Sequence, residues 1–100
     1  MSKRKILIVD DEIHILELLK YNLENTGYEV SEAESGEEAL EKLNASVDLV
    51  ILDLMLPGID GLEVLKRIRF NESLKNIPVI MLTAKNEEID AVLGLEMGAD

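Results

Sequence analysis

The feature that most constrains the fold is a regular alternation of short apolar runs with stretches of helical periodicity. Lys5–Val9 and Asp48–Leu52 are nearly continuous apolar runs, typical of strands covered on both faces of a parallel sheet. Tyr28–Ala33 alternates apolar and polar residues, as a strand near a sheet edge does. Pro78–Leu82 begins with proline, which is tolerated at the first position of a strand. These four segments are the predicted strands.

A predicted helix follows each strand. Gly27 stands where a C-terminal capping glycine belongs, Ser35 and Glu38 match a capping box, and Asp60 is placed to cap the third helix. Right-handed crossovers in such a (βα)4 chain place helices on both faces of one doubly wound parallel sheet. The predicted helices are Glu12 to about Thr26, Ser35 to about Asn44, Gly61 to about Phe70 with buried Leu62, Leu65 and Ile68, and Asn86 to about Met97 before Gly98.

Composition limits the classes of function. One hundred residues allow a single small domain, and the absence of cysteine excludes disulfides, thiolate metal sites and a cysteine nucleophile. No apolar run approaches the roughly 18 residues of a membrane span, and no signal peptide is recognisable, which favours the cytoplasm. A net charge of −11 argues against direct binding to nucleic acid and is compatible with a bound cation or a basic protein partner.

Carboxylates follow two of the predicted interior strands. Asp10 and Asp11 come directly after the first strand, and Asp53 comes directly after the third. Carboxyl ends of parallel strands share one edge of the sheet, where open α/β sheets bind ligands. Three carboxylates at that edge repel one another unless a cation lies between them, and all-oxygen ligation suits Mg²⁺. Taken alone, the Asp10–Asp11 pair also fits an ordinary helix N-terminus with acidic first-turn residues.

At this point the chain resembles a known family. The segments KILIVDDE, LVILDLMLPGIDGLEVLKRIR, IPVIMLTA and GLEMGAD are similar, in order and spacing, to the receiver domain of two-component response regulators. The resemblance covers essentially the whole chain and is greatest to receivers attached to winged-helix DNA-binding domains. It implies a flavodoxin-like sheet with strand order 2-1-3-4-5, an order for which a receiver is itself the standard example.

The resemblance also implies roles for single residues. Asp53 corresponds to the phosphoacceptor, and Asp10 and Asp11 correspond to the acidic pair that holds Mg²⁺, with Asp11 as the direct ligand. Met55 corresponds to the position whose backbone carbonyl also binds the metal. A carboxylate nucleophile and a divalent ion are the chemistry that formation of an aspartyl phosphate requires.

Two further positions correspond to the switch of the family. Thr83 matches the hydroxyl residue that contacts the phosphoryl group, and Ala84 matches the small residue beside it. The family's fifth strand, with its phosphoryl-binding lysine, and its fifth helix have no counterpart in the 100 residues. Lys85 is interpreted as a solvated loop residue, so no family lysine is assigned. The expectation is a single truncated receiver domain over residues 1–100.

Three functions remain open from the sequence. The first is a receiver that accepts a phosphoryl group on Asp53 from a sensor histidine kinase, with Mg²⁺ as cofactor and without turnover. The second is a truncated or engineered receiver fragment that assembles as a homo-oligomer through an uncovered edge or face of the sheet and does not signal. The third is a phosphohydrolase with an aspartyl nucleophile, which commonly carries a second acid two residues later, where Met55 stands here.

Overall fold

The strands of the sheet coincide with the predicted apolar runs to within one residue. The computed structural model describes residues 3–82. All strand pairs are parallel, in the order β2-β1-β3-β4, which confirms the flavodoxin-like order for these strands. No fifth strand is present among the described residues. The strands are β1 (Lys5–Val9), β2 (Glu29–Ala33), β3 (Leu49–Asp53) and β4 (Val79–Leu82).

Three helices connect these strands, and their ends follow the predicted capping residues. At the end of the first helix, Gly27 has φ 104°, its N–H donates to the Glu24 carbonyl, and Tyr28 N–H donates to the Leu23 carbonyl. These two hydrogen bonds form the Schellman motif for which glycine is favoured. The predicted fourth helix, Asn86 to Met97, lies outside the described residues. The helices are α1 (Ile13–Asn25), α2 (Gly36–Lys42) and α3 (Gly61–Arg69).

The capping box of α2 differs in one hydrogen bond from the predicted form. Ser35 Oγ accepts from the Glu38 N–H at 3.0 Å, as expected. The carboxylate of Glu38 instead accepts from the N–H of Glu34, one residue before the cap, at 2.8 Å. This hydrogen bond fixes the segment that precedes the helix. Asp60 caps α3 as predicted, because its Oδ1 accepts from the Glu63 N–H at 2.9 Å.

The sheet has a separate apolar core on each face. On one face Leu16 of α1 packs with Ile6, Ile8 and Ile51, and on the other face α2 and α3 cover the remaining inward residues of the strands. Every helix among residues 3–82 is too short or too polar to cross a bilayer. The second core contains the buried residues Leu7, Val9, Ala33, Ala39, Leu43, Val50, Leu52, Leu56, Val64, Leu65, Ile68, Leu74, Ile77 and Val79.

The predicted buried stripe of α3 was wrong at one position. Leu65 and Ile68 are fully buried as expected, but Leu62 is only half-buried and Val64 takes the inward position. The inward stripe begins at Gly61 and continues at the third, fourth and seventh residues after it, which is the spacing of one helix face. The first residue of α3 therefore contacts the sheet directly with its main chain, because it has no side chain.

Candidate functional site

The register of the sheet brings the predicted acidic residues together. Val9 of β1 lies opposite Leu52 of β3, so Asp10 and Asp53 stand side by side at the carboxyl edge. Asp11 is the next residue along the chain from Asp10. One carboxylate oxygen from each of Asp10, Asp11 and Asp53 lies within 4.8 Å of the others. The three acids thus form one cluster, as the strand pattern predicts.

Backbone hydrogen bonds fix two of these carboxylates in the same way. Asp10 Oδ1 accepts from the Glu12 N–H at 2.9 Å, and Asp53 Oδ1 accepts from the Met55 N–H at 3.0 Å. Each contact spans two residues, the spacing at which an aspartate side chain closes a turn on its own backbone. The strands thus fix the backbone positions of Asp10 and Asp53, and the two turns orient their carboxylates.

Burial and mutual repulsion disfavour the ionised form of two of the acids. Asp10 is only 6% exposed, and its burial, followed by the charges of Asp53, Asp11 and Glu12, raises its pKa, although the hydrogen bond from the Glu12 N–H opposes the rise. Burial also raises the pKa of Asp53, with a further contribution from the charge of Asp11 and an opposing one from the Met55 N–H. A cation in the cluster would favour the ionised form of both acids and so oppose both shifts, although burial is their largest cause.

The donor set fits a small hard divalent ion. All three side chains offer carboxylate oxygens, there is no cysteine in the chain, and the only histidine, His14, is an exposed residue of α1. Oxygen-only ligation from a few carboxylates is how Mg²⁺ is held, with water completing its octahedral shell. Asp10, Asp11 and Asp53 would therefore hold such an ion.

Clefts flank the cluster on two sides. Asp10 and Asp53 line a cavity of about 350 Å³ that also touches Leu82, the last described residue of β4. Asp11 and Met55 line a second cavity, of about 530 Å³, on the side of α3. Met55 is 56% exposed, so the loop that carries its backbone carbonyl is accessible beside Asp11. Its role as a metal ligand stays a prediction, as do the roles of the three acids.

Two predicted site residues, Thr83 and Ala84, lie outside the described residues, as does Lys85. One residue beside the cluster was not singled out for the site from the sequence. The sequence pattern predicts Gly61 only as the first residue of α3, whereas its backbone lies directly against that of Asp53. The glycine itself is the available signal, because a residue without a Cβ atom permits a close approach of its backbone to a neighbour.

Comparisons with known proteins match the chain to one family. The family model described as "Response regulator receiver domain" matches residues 6–100. The alkaline phosphatase synthesis transcriptional regulatory protein PhoP of Bacillus subtilis is 55% identical over 98 residues, covering 97% of this chain and 40% of PhoP. The transcriptional regulatory protein CpxR homolog of Haemophilus influenzae is 54% identical over 96 residues, covering 96% of this chain and 41% of that protein. The chain thus spans about two fifths of these relatives.

Solved structures show the same fold. The chemotaxis protein CheY4 of Vibrio cholerae superposes with a TM-score of 0.86 at 35% identity, covering 98% of this chain and 82% of that chain. The N-terminal domain of a response regulator receiver protein from Methanoculleus marisnigri superposes with a TM-score of 0.88 at 41% identity. The match covers 99% of this chain and 81% of that chain. The family match over nearly the whole chain and the parallel sheet with its acidic edge lead to one conclusion: this chain belongs to the response regulator receiver domain family.

Proposed function

We propose that the chain is a phosphoacceptor module in which Asp53 receives a phosphoryl group from the phosphohistidine of a sensor histidine kinase, with Mg²⁺ as cofactor. The observation that carries the proposal is the convergence of Asp10, Asp11 and Asp53 within 4.8 Å. Neither a nucleophile alone nor an acidic pair alone would need that arrangement. Membership of the receiver family supports the same function.

The proposed transfer uses Asp53 as the nucleophile. A carboxylate oxygen attacks phosphorus while the bond from phosphorus to the histidine nitrogen breaks; the nitrogen keeps the electron pair and takes up a proton. The hydrogen bond from the Met55 N–H holds the rotation of the Asp53 carboxylate, so the attacking group is oriented before the donor arrives. When bound, Mg²⁺ supplies neutralisation of negative charge on the transferring group.

The remaining acids bind and orient without being phosphorylated. Asp10 is almost fully buried and held by Glu12 N–H, which suits a fixed ligand and not a nucleophile that must reach a partner. Asp11 is exposed and borders the cleft that Met55 also lines, so it and the Met55 carbonyl are accessible to an ion entering from solvent. We propose Asp10, Asp11, Asp53 and the Met55 carbonyl as the metal-binding set.

Phosphorylation with a small donor tests the function directly. The chain is incubated with acetyl phosphate, with and without Mg²⁺, and the modified residue is located by mass spectrometry. The expected product is one Mg²⁺-dependent adduct on Asp53, absent from Asp53→Asn. Asp48→Asn is the matched control, because Asp48 lies at the opposite end of β3 and binds the Lys5 N–H. An unchanged adduct in Asp53→Asn would show that another residue accepts the group.

The same reaction separates a phosphoacceptor from a phosphohydrolase. A phosphoacceptor captures one phosphoryl group per chain in an initial burst, whereas a hydrolase releases phosphate continuously. Met55 occupies the position at which an aspartyl-nucleophile hydrolase commonly carries its general acid, which favours single capture and a protein that is not a turnover enzyme. We further propose, from the transcriptional regulators among its relatives, that the phosphoryl group serves control of transcription.

A further inference from the structure

The start of α3 lies against the backbone of the proposed phosphoacceptor. A Cβ atom added to Gly61 would overlap the carbonyl oxygen of Asp53 and stand 2.7 Å from the Cα of Leu54. Both are main-chain atoms, which cannot rotate away as the end of a side chain can. The Gly61 N–H donates to the Leu54 carbonyl at 3.0 Å, so the same glycine is also hydrogen-bonded to the chain that leaves β3.

Helix α3 has little freedom to move away from this contact. Val64, Leu65 and Ile68 are fully buried in the core on that face of the sheet. Asp60 caps the helix through the Glu63 N–H, which fixes its first turn. A side chain at Gly61 would therefore force the end of β3 and the start of α3 apart, because the atoms it meets belong to the main chain and the packed core leaves no space to absorb it.

We propose that Gly61 is a positioning residue for the acidic cluster: the missing side chain lets α3 set the position of the Asp53 backbone, and with it the distance from the Asp53 carboxylate to Asp10 and Asp11. The inference rests on the proposed function and deepens it. Displacement of the Asp53 main chain also moves the Met55 N–H that orients the carboxylate, since the two residues share one turn.

Gly27 provides a matched control within the same chain. It has φ 104°, so alanine is strained there, but a Cβ would meet nothing within 4 Å. Its substitution therefore lowers stability through backbone conformation alone, at the far end of α1 from the acidic cluster. Comparison of Gly61→Ala with Gly27→Ala separates a loss of stability from a loss of site geometry.

The experiment measures Mg²⁺ affinity by calorimetric titration and stability by urea unfolding, on the full 100-residue chain. Both variants are expected to lose stability, but only Gly61→Ala is expected to lose Mg²⁺ affinity, by roughly tenfold, as residues that orient metal ligands do. Wild-type affinity in Gly61→Ala, or an equal loss in Gly27→Ala, overturns the inference. If the unsubstituted chain does not bind Mg²⁺, the proposed metal site is overturned, and the inference about Gly61 with it. The titration of the unsubstituted chain distinguishes that outcome from a failure of the inference alone.

Two further measurements test the inference if the Gly61→Ala chain does not fold. Trimethylamine N-oxide favours the folded state and allows the titration to be made on refolded protein, with both variants in the same solution. In the unsubstituted chain, amide exchange followed by NMR should slow on Mg²⁺ addition more at Gly61 than at Val64. The Gly61 N–H donates to the Leu54 carbonyl, whereas the Val64 N–H donates to the carbonyl of Asp60, the residue that caps α3. Equal slowing at the two amides overturns the inference without any variant.

Discussion

The Met55 N–H donates a 3.0 Å hydrogen bond to Asp53 Oδ1, so the residue proposed to offer its carbonyl to a metal ion also holds the proposed nucleophile. One short turn after β3 thus carries both proposed roles. A change that moves this turn is expected to alter both the orientation of the Asp53 carboxylate and the proposed metal site. The same hydrogen bond opposes the rise in the pKa of Asp53 that burial and the charge of Asp11 cause.

Replacing Asp10 by asparagine should stabilise the fold at neutral pH. The pKa of Asp10 is raised above 3.8, chiefly by burial, so its ionised form is disfavoured in the folded state. Asparagine keeps an acceptor for the Glu12 N–H and removes the charge. We expect the free energy of unfolding at pH 7 without Mg²⁺ to rise by on the order of 1 kcal/mol, measured by urea unfolding.

The pH dependence of that gain follows from the sign of the shift. An acid with a raised native pKa binds its proton more tightly in the folded state, so its contribution to stability is lost as pH rises from 3.8 through the native pKa. The advantage of Asp10→Asn should therefore vanish in acid, where the wild-type side chain is neutral too. An advantage that persists unchanged below pH 3.8 would assign it to packing and not to charge.

Mg²⁺ should stabilise the wild-type chain, and more so as pH rises. The ion binds ionised carboxylates, which are formed only above the raised pKa values of Asp10 and Asp53. At a free concentration about 100 times the dissociation constant, the expected gain in the free energy of unfolding is roughly 2.7 kcal/mol. Urea unfolding with and without Mg²⁺, at pH 4 and at pH 7, measures this gain. The buffers are free of Ca²⁺, and Asp53→Asn is the control. A gain that is equal at the two pH values would contradict carboxylate ligation.

Asp11→Asn should weaken Mg²⁺ binding by roughly tenfold or more, because it removes one of three charged ligands. Asp60→Asn is the matched control. Asp60 borders the same cleft as Asp11, and asparagine preserves its cap on the Glu63 N–H. Calorimetric titration of both variants distinguishes the loss of a ligand from the loss of a nearby charge. Equal affinity in the wild type and Asp11→Asn would remove Asp11 from the ligand set.

The sequence was sufficient for the parts of the structure that depend on local pattern and topology. The continuous run Lys5–Val9 ends at Asp10, so both the strand and the place of the acid could be predicted. The burial of Val64 in place of Leu62 could not, because the inward stripe of α3 begins at Gly61, which has no side chain to count as apolar. The approach of Gly61 to Asp53 is a tertiary contact between main chains, and periodicity carries no information about it.

The remaining prediction concerns the face of β4 that α1 does not fully cover. Ile80 lies opposite Ile51, whose side chain packs with Leu16 of α1, so Ile80 projects from that same face. It is nevertheless 41% exposed, and β4 is an edge of the sheet among the described strands. An edge strand presents unpaired main-chain N–H and C=O groups to which a strand of another chain can add. We propose that this face contacts a second copy of the protein.

Light scattering of the 100-residue chain at micromolar concentration should then give twice its mass of 11.2 kDa. Ile80→Lys is expected to shift the protein to the monomer, because association would bury the new charge without a partner. Phe70→Lys is the matched control: Phe70 is a larger apolar residue, 80% exposed at the end of α3, and α3 packs on the opposite face of the sheet from Ile80, so its replacement should leave the mass unchanged. A wild-type chain that scatters as a monomer, or a dimer that survives Ile80→Lys but not Phe70→Lys, would show that β4 is not the contact.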